Sequence, residues 1–182
     1  LMQFARHLPQ GPIGALVHAA MEDHIRSTLP LLGDLPWQVT HNDPSPHNMM
    51  QTAQGIGFID FGDGGYGPRL QDLAIAASHM VSDPARPLGG AELLIAGYCS
   101  VLPLSDCESR VLVGMMRARQ AAMILINHWR ARLYPAEAAY ITKNVARAER
   151  GLQILATLDP AAAQAAVRAA ARSGTSTDRL TA

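Results

Sequence analysis

Polar chemistry in this chain is concentrated in one window, Thr40 to Asp72, with apolar residues at helical spacing on both sides of it. That layout restricts the fold more than any other feature. A largely helical body has to carry a short stretch of strands and loops at its edge. Before the window, residues 12–29 place Ile13, Leu16, Val17, Ala20 and Ile25 among Glu22, Asp23 and Arg26, which predicts a helix ended by Pro30, Gly33 and Pro36. Residues 37–40 are β-prone. Residues 49–52 and 56–60 predict two short strands joined by Ala53-Gln54-Gly55 as a hairpin, and a glycine-rich loop follows over 61–68.

Beyond the window the pattern is helical. Residues 70–81 are apolar along most of their length, which suits a buried helix, and 91–102 predict the next. Ser105 with Glu108 three residues on is a capping-box signature, opening a long helix to about residue 132. Pro135 stands at a first helical position and starts another, to about 158. Asp159-Pro160 suits a further cap, but 161–182 is alanine-rich and ends in Ser, Thr and Gly, so 159–182 is expected to be a loosely ordered tail. There is no internal repeat. The expected fold class is α+β, mainly α, with a small β-hairpin platform carrying the polar loop.

Composition narrows the function. A length of 182 residues suits one domain, or one lobe of a larger protein. Fifteen basic and fifteen acidic side chains argue against nucleic acid or an anionic membrane as partner. Hydrophobic content of 48% with 16% charged residues argues against a disordered chain. No apolar run approaches the roughly 18 residues of a membrane span, and no signal-peptide pattern opens the sequence. Cys99 and Cys107 give no metal-ligand spacing and fit a reducing compartment, so the expected location is cytoplasmic. Of the fifteen basic residues fourteen are arginine and one, Lys143, is lysine; the chain opens on Leu1.

The window itself reads His41-Asn42-Asp43-Pro44-Ser45-Pro46-His47-Asn48 and, after the hairpin, Ile59-Asp60-Phe61-Gly62-Asp63. Phosphoryl transfer needs a carboxylate to orient the attacking hydroxyl, and oxygen ligands to hold Mg²⁺ against nucleotide phosphates. Four residues between Asp43 and Asn48 let the chain turn both towards one cleft, and Asp60 arrives beside Asn48 at the end of the second hairpin strand. Two other readings stand beside this one. The stretch can be a polar loop built on turn-forming Asp-Pro and Ser-Pro pairs. Alternatively His41, Asp43 and His47 can form the transition-metal triad of a hydrolase, although no further His/Cys/Asp cluster completes it.

His-x-Asp-x-x-x-x-Asn followed by Ile-Asp-Phe-Gly-Asp resembles the catalytic segment of the aminoglycoside phosphotransferase and choline kinase group, small-molecule kinases with a protein-kinase-like fold. Gly57 to Asp63, then Gly67-Pro68-Arg69-Leu70-Gln71-Asp72-Leu73-Ala74-Ile75-Ala76, is most similar to the hydroxylysine-kinase-like branch. The resemblance implies Asp43 as catalytic base, Asn48 and Asp60 as Mg²⁺ ligands, and His41 as a residue packed under the loop. It implies Asp72 as a brace accepting backbone hydrogen bonds, a role that also suits a carboxylate facing loop N–H groups with no strand partner. Asp63 is a possible further metal carboxylate. The implied cofactor is Mg²⁺ with ATP, GTP being possible, and the implied acceptor is a small hydroxylated amine or amino acid.

Such a kinase also needs an N-terminal lobe with a glycine-bearing hairpin and a lysine that clamps the phosphates. No strand-rich segment precedes His41, and Lys143 follows the metal aspartate within a helical stretch. Residues 1–158 are therefore expected to be a C-terminal lobe, with the catalytic segment at 37–82 and a helical substrate side at 88–158. The alternative is a non-catalytic kinase-like module. Arg117, Arg119, Asn127, His128, Trp129 and Arg130 are candidates for an acceptor pocket, and Tyr66 for a substrate contact; Met115, Met116, Met123 and Leu125 read as core.

Overall fold

A computed structural model describes residues 2–8 and 10–175. Its helices are α1 (Pro12–Asp23), α2 (Leu70–Met80), α3 (Glu92–Val101), α4 (Asp106–Leu133), α5 (Ala138–Ile141), α6 (Val145–Ala156) and α7 (Pro160–Thr175). Its strands are β1 (Trp37–Thr40), β2 (Met49–Thr52), β3 (Gly55–Phe58) and β4 (Gly65–Pro68). The class is α+β, mainly α. No helix among the described residues is long and apolar enough to cross a membrane.

The centre of the body is α4, a helix of 28 residues. Its start follows from the capping box: Glu108 N donates to Ser105 Oγ at 3.2 Å, and Ser105 N donates to Glu108 Oε2 at 2.8 Å. Leu112, Met116, Gln120 and Ile124 recur at a spacing of four and are buried along one stripe. This helix packs against α1, α2, α5, α6 and α7. Two apolar clusters result, one around Leu70, Leu73, Ile95, Leu112 and Val167, the other around Val17, Met21, Ile124 and Leu152. Where α6 crosses α4, a Cβ at Gly151 would lie 2.6 Å from Gln120 Nε2, so a larger residue there would have to displace the buried Gln120 amide.

The platform is two two-stranded antiparallel sheets, β2 with β3 and β1 with β4. In the first, Met49 pairs with Phe58 and Thr52 with Gly55, the expected hairpin. The second corrects the sequence expectation of a plain loop over 61–68. Gly65-Tyr66-Gly67 carries weak strand propensity, and its pairing with β1 (Val39 opposite Tyr66) supplies the order. Arg69 then ties the platform to the body, with Nε donating to Glu108 Oε1 at 2.6 Å and its terminal nitrogen to Oε2 at 2.7 Å.

Three helical expectations also change. The first helix continues past α1 through a π-helical turn (His24–Thr28) and a 3₁₀ segment (Leu29–Asp34), crossing Pro30. The helix expected over 135–158 is a 3₁₀ turn (Pro135–Glu137), α5 and α6, interrupted where Thr142 Oγ1 bonds back to the Ala138 carbonyl at 2.8 Å. Finally, residues 160–175 of the expected loose tail form α7, with Ala163, Val167 and Ala170 buried. Asp159 caps it, accepting from Ala162 N at 2.8 Å. Its small residues let it close onto α3, where a Cβ at Gly174 would strike the Ala96 carbonyl. Residues 176–182 of that tail lie outside the described residues.

Candidate active site

The polar loop leaves β1 through Asn42, whose φ of 64° lies in the left-handed region. Asp60, just past β3, has a φ of 63°. Asn and Asp tolerate this conformation better than other side-chain-bearing residues, and here it turns both segments towards each other. Asp72, in the first turn of α2, accepts from His41 N at 2.9 Å (Oδ2) and from Asn42 N at 2.8 Å (Oδ1). Two loop amides without strand partners are thus satisfied by one carboxylate.

His41 is buried and bridges the two halves of the loop. Its Nε2 donates to the Ile59 carbonyl at 2.9 Å, which leaves Nδ1 as the acceptor for Asp43 N at 3.3 Å. Its ring packs against Phe61 with centroids 4.5 Å apart. With both nitrogens engaged, the imidazole has no lone pair for a metal, which disfavours the transition-metal triad. Asn42 Nδ2 donates to the Asp63 carbonyl at 2.9 Å, so Asp63 enters the site through its backbone. Thr40 Oγ1 donates to the Gly65 carbonyl at 2.9 Å, closing the β1–β4 end of the loop.

Asp43 is held at both oxygens. Asn48 Nδ2 donates to Asp43 Oδ2 at 3.0 Å and to its carbonyl at 2.9 Å, while Arg119 of α4 donates to Oδ1 at 2.9 Å. Two oxygen partners fix the NH₂ end of the Asn48 amide towards Asp43 and leave Oδ1 as a free acceptor. Asn48 O accepts from Ile59 N at 3.0 Å, so Asp60 follows next to it, its side chain exposed. Asp43, Asn48 and Asp60 thus share one edge of the platform.

Behind Asp43 the helices contribute cations. Arg147 of α6 reaches the Met123 sulfur at 3.8 Å, one turn along α4 from Arg119. Burial lowers the Arg147 pKa, and the nearby Arg119 charge lowers it further, although a guanidinium stays protonated. His79, near the end of α2, is pushed down to about 4 by burial and then by the charges of Arg147, Arg119 and His47. It is therefore neutral at physiological pH.

Of the helical residues singled out for an acceptor pocket, Arg119 alone is joined to Asp43 by a hydrogen bond. Arg117 caps α6, its Nε donating to the Leu155 carbonyl at 3.0 Å, and Trp129 stacks on Phe4 at 4.3 Å. Tyr66 is exposed against Trp37. Lys143 lies over the Tyr140 ring at 3.9 Å, between α5 and α6. Sequence reasoning missed Arg147 and His79, because no local spacing links either to Asp43. Beside the loop a cleft of 610 Å³ is walled mainly by apolar side chains, among them Val39, Phe58, Phe61 and Leu73.

Residues 3–104 match the profile of the phosphotransferase enzyme family, covering the platform, α2 and α3. The chain is 26% identical over 113 residues to a hydroxylysine kinase of Mus musculus, covering 57% of this chain and 30% of that protein. Against hydroxylysine kinases of Xenopus laevis and Danio rerio the identities are 22% over 166 and 23% over 164 residues. These cover 85% and 87% of this chain and 44% and 45% of the relatives, so it spans less than half the length of the proteins it matches. The family match takes in more than half of the chain and includes the whole braced loop from His41 to Asp72, and on that ground the chain belongs to the phosphotransferase enzyme family, the aminoglycoside phosphotransferase and choline kinase group.

Proposed function

We propose that this chain carries the acceptor- and metal-binding lobe of a small-molecule kinase, which moves the γ-phosphoryl group of ATP, or GTP, to a hydroxyl of a small amine or amino acid. The observation that best supports this is the Asp43 carboxylate, fixed by Arg119 and Asn48 on a loop that Asp72 braces. In this reading Asp43 is the catalytic residue. It accepts a hydrogen bond from the acceptor hydroxyl and takes its proton as the oxygen–phosphorus bond forms. The bond from the γ-phosphorus to the β,γ-bridging oxygen breaks, and ADP leaves.

Asn48 through Oδ1 and Asp60 through its carboxylate would hold Mg²⁺. The donor set fits a hard cation that takes few protein ligands, since it offers one free amide carbonyl and one exposed carboxylate on segments joined by the hydrogen bond from Ile59 N to Asn48 O. When bound, the ion offsets phosphate charge. His41 and Asp72 keep the loop in place, as does the Asp63 backbone, and the Asp63 carboxylate is available as a further oxygen ligand. In this proposal the lobe runs through α7, with 37–82 as catalytic segment and 88–158 as substrate side. Lys143 lies over the Tyr140 ring and takes no part at the phosphates in this reading, in which the clamping lysine belongs to a separate N-terminal lobe. The proposed location is the cytoplasm, in keeping with an ATP co-substrate. The hydroxylysine kinase relatives favour a hydroxylated amino acid such as 5-hydroxylysine as acceptor.

The test uses the complete gene product with Mg·ATP and a panel of 5-hydroxylysine, amino alcohols and aminoglycosides, following γ-phosphoryl transfer. Turnover of a hydroxylated amino acid is expected, and Asp43→Asn should lower kcat by about 10³-fold or more without unfolding the chain. No transfer to any acceptor, or an Asp43→Asn variant with undiminished kcat, would overturn the reading and leave a non-catalytic module.

A further inference from the structure

We infer that the acceptor carries an anionic group, a carboxylate, seated on Arg119 and Arg147 where α2, α4 and α6 meet behind Asp43. This deepens the phosphotransferase reading and rests on it, because Asp43 is taken there as the group that receives the acceptor hydroxyl.

Four side chains argue for the site. Arg119 spends one terminal nitrogen on Asp43, while its Nε is buried without a partner. Arg147 has the Met123 sulfur, a weak acceptor, as its hydrogen-bond partner, and among the described residues no acidic side chain forms a salt bridge with it. His79 Nε2 is likewise buried and unpartnered. Gln120 Nε2 donates to the Ser78 carbonyl at 2.6 Å, which locks the His79 end of α2 to α4 one residue from Arg119.

The charge is unbalanced as a result. Asp43 is the one carboxylate bound to this cluster among the described residues, and it pairs with Arg119 alone, while the Arg147 charge stands near that of Arg119. Half-buried cations with unmet donors are costly unless an anion meets them. A guanidinium matches a carboxylate in shape and hydrogen-bond geometry. The same cations repel a polycationic acceptor, so the arrangement selects a hydroxylated amino acid or hydroxy acid over an aminoglycoside or a simple amino alcohol. With the carboxylate on Arg119 and Arg147, the hydroxyl is left to point at Asp43.

Phosphate shares this chemistry, and the nucleotide is its alternative source, so the experiment has to separate the two. Isothermal titration of the complete gene product would use 5-hydroxylysine, homoserine and gluconate, each against its carboxamide, and separately Mg²⁺ with a non-hydrolysable ATP analogue. At least one acid should bind about tenfold or more tighter than its amide. Arg147→Met should bring that ratio close to one and leave nucleotide affinity within about twofold, whereas Arg147→Lys should retain part of the preference. Acids and amides binding alike, or none of the three acids binding, would overturn the inference. So would Arg147→Met weakening the nucleotide instead of the acid. The comparison of acid with amide needs no variant, so a misfolded Arg147→Met protein does not block it. It also needs no turnover: failure of γ-phosphoryl transfer counts against the kinase reading, and loss of carboxylate preference counts against this site.

Discussion

In the helical body Leu112, Met116, Ile124 and Leu155 are completely buried, whereas on the platform Val39, Met50, Ile56 and Phe61 are each more than half exposed. The two regions use similar side chains under different forces. The body is held by apolar burial along α4. The platform keeps its geometry by directed polar bonds, chiefly those of Asp72, His41, Thr40 and Asn42. Stability and site geometry are therefore separable here.

The junction between the regions should show the largest effect. Arg69 and Glu108 form a buried, bidentate pair, and Arg69→Met leaves a carboxylate buried without its cation. A loss of about 3–5 kcal/mol in urea unfolding is expected. Burial alone would raise the Glu108 pKa, but hydrogen bonds from Arg69 and Ser105 outweigh it and hold the group below its ordinary 4.5. Its contribution is thus complete above that value and fades as the pH falls through the lower folded-state value. Stability that stays flat through this acid range would contradict the assignment.

Within the body, Leu112→Ala should cost about 3 kcal/mol, since α4 is packed on several sides and collapses poorly around a cavity. Asp72→Ala should cost less overall, about 1–3 kcal/mol, but should act locally by releasing two loop amides. Hydrogen exchange at His41 and Asn42 is the measurement, and unchanged protection would show that the brace is dispensable. The smallest effect belongs to the platform surface. Ile56→Ser should shift unfolding by no more than about 0.5 kcal/mol. A loss as large as that of Leu112→Ala would erase the contrast between the two regions.

Much of this was legible in the sequence where the physics is local. Ser105 and Glu108 announced the start of α4, and Ala53-Gln54-Gly55 announced the hairpin, because capping and turn chemistry act within a few residues. The loop residues Asp43, Asn48 and Asp60 stood out by spacing, and Asp72 through the family resemblance. Strand β4 did not, since Gly65-Tyr66-Gly67 becomes a strand through its partner β1. Nor did α7, because alanine reads as loose until α3 is there to pack against it. Glu108 was legible as a cap but not as the buried partner of Arg69.

The sequence by itself determined the local elements, the polar window and the phosphotransferase pattern it contains, because those depend on neighbours a few residues apart. The tertiary structure decided which charges meet. Arg119 on Asp43, and Arg147 and His79 behind it, come from helices whose relative placement is set by apolar packing along α4. Coulomb and hydrogen-bond terms act through space, so their partners emerge when that packing brings distant parts of the chain within a few ångströms.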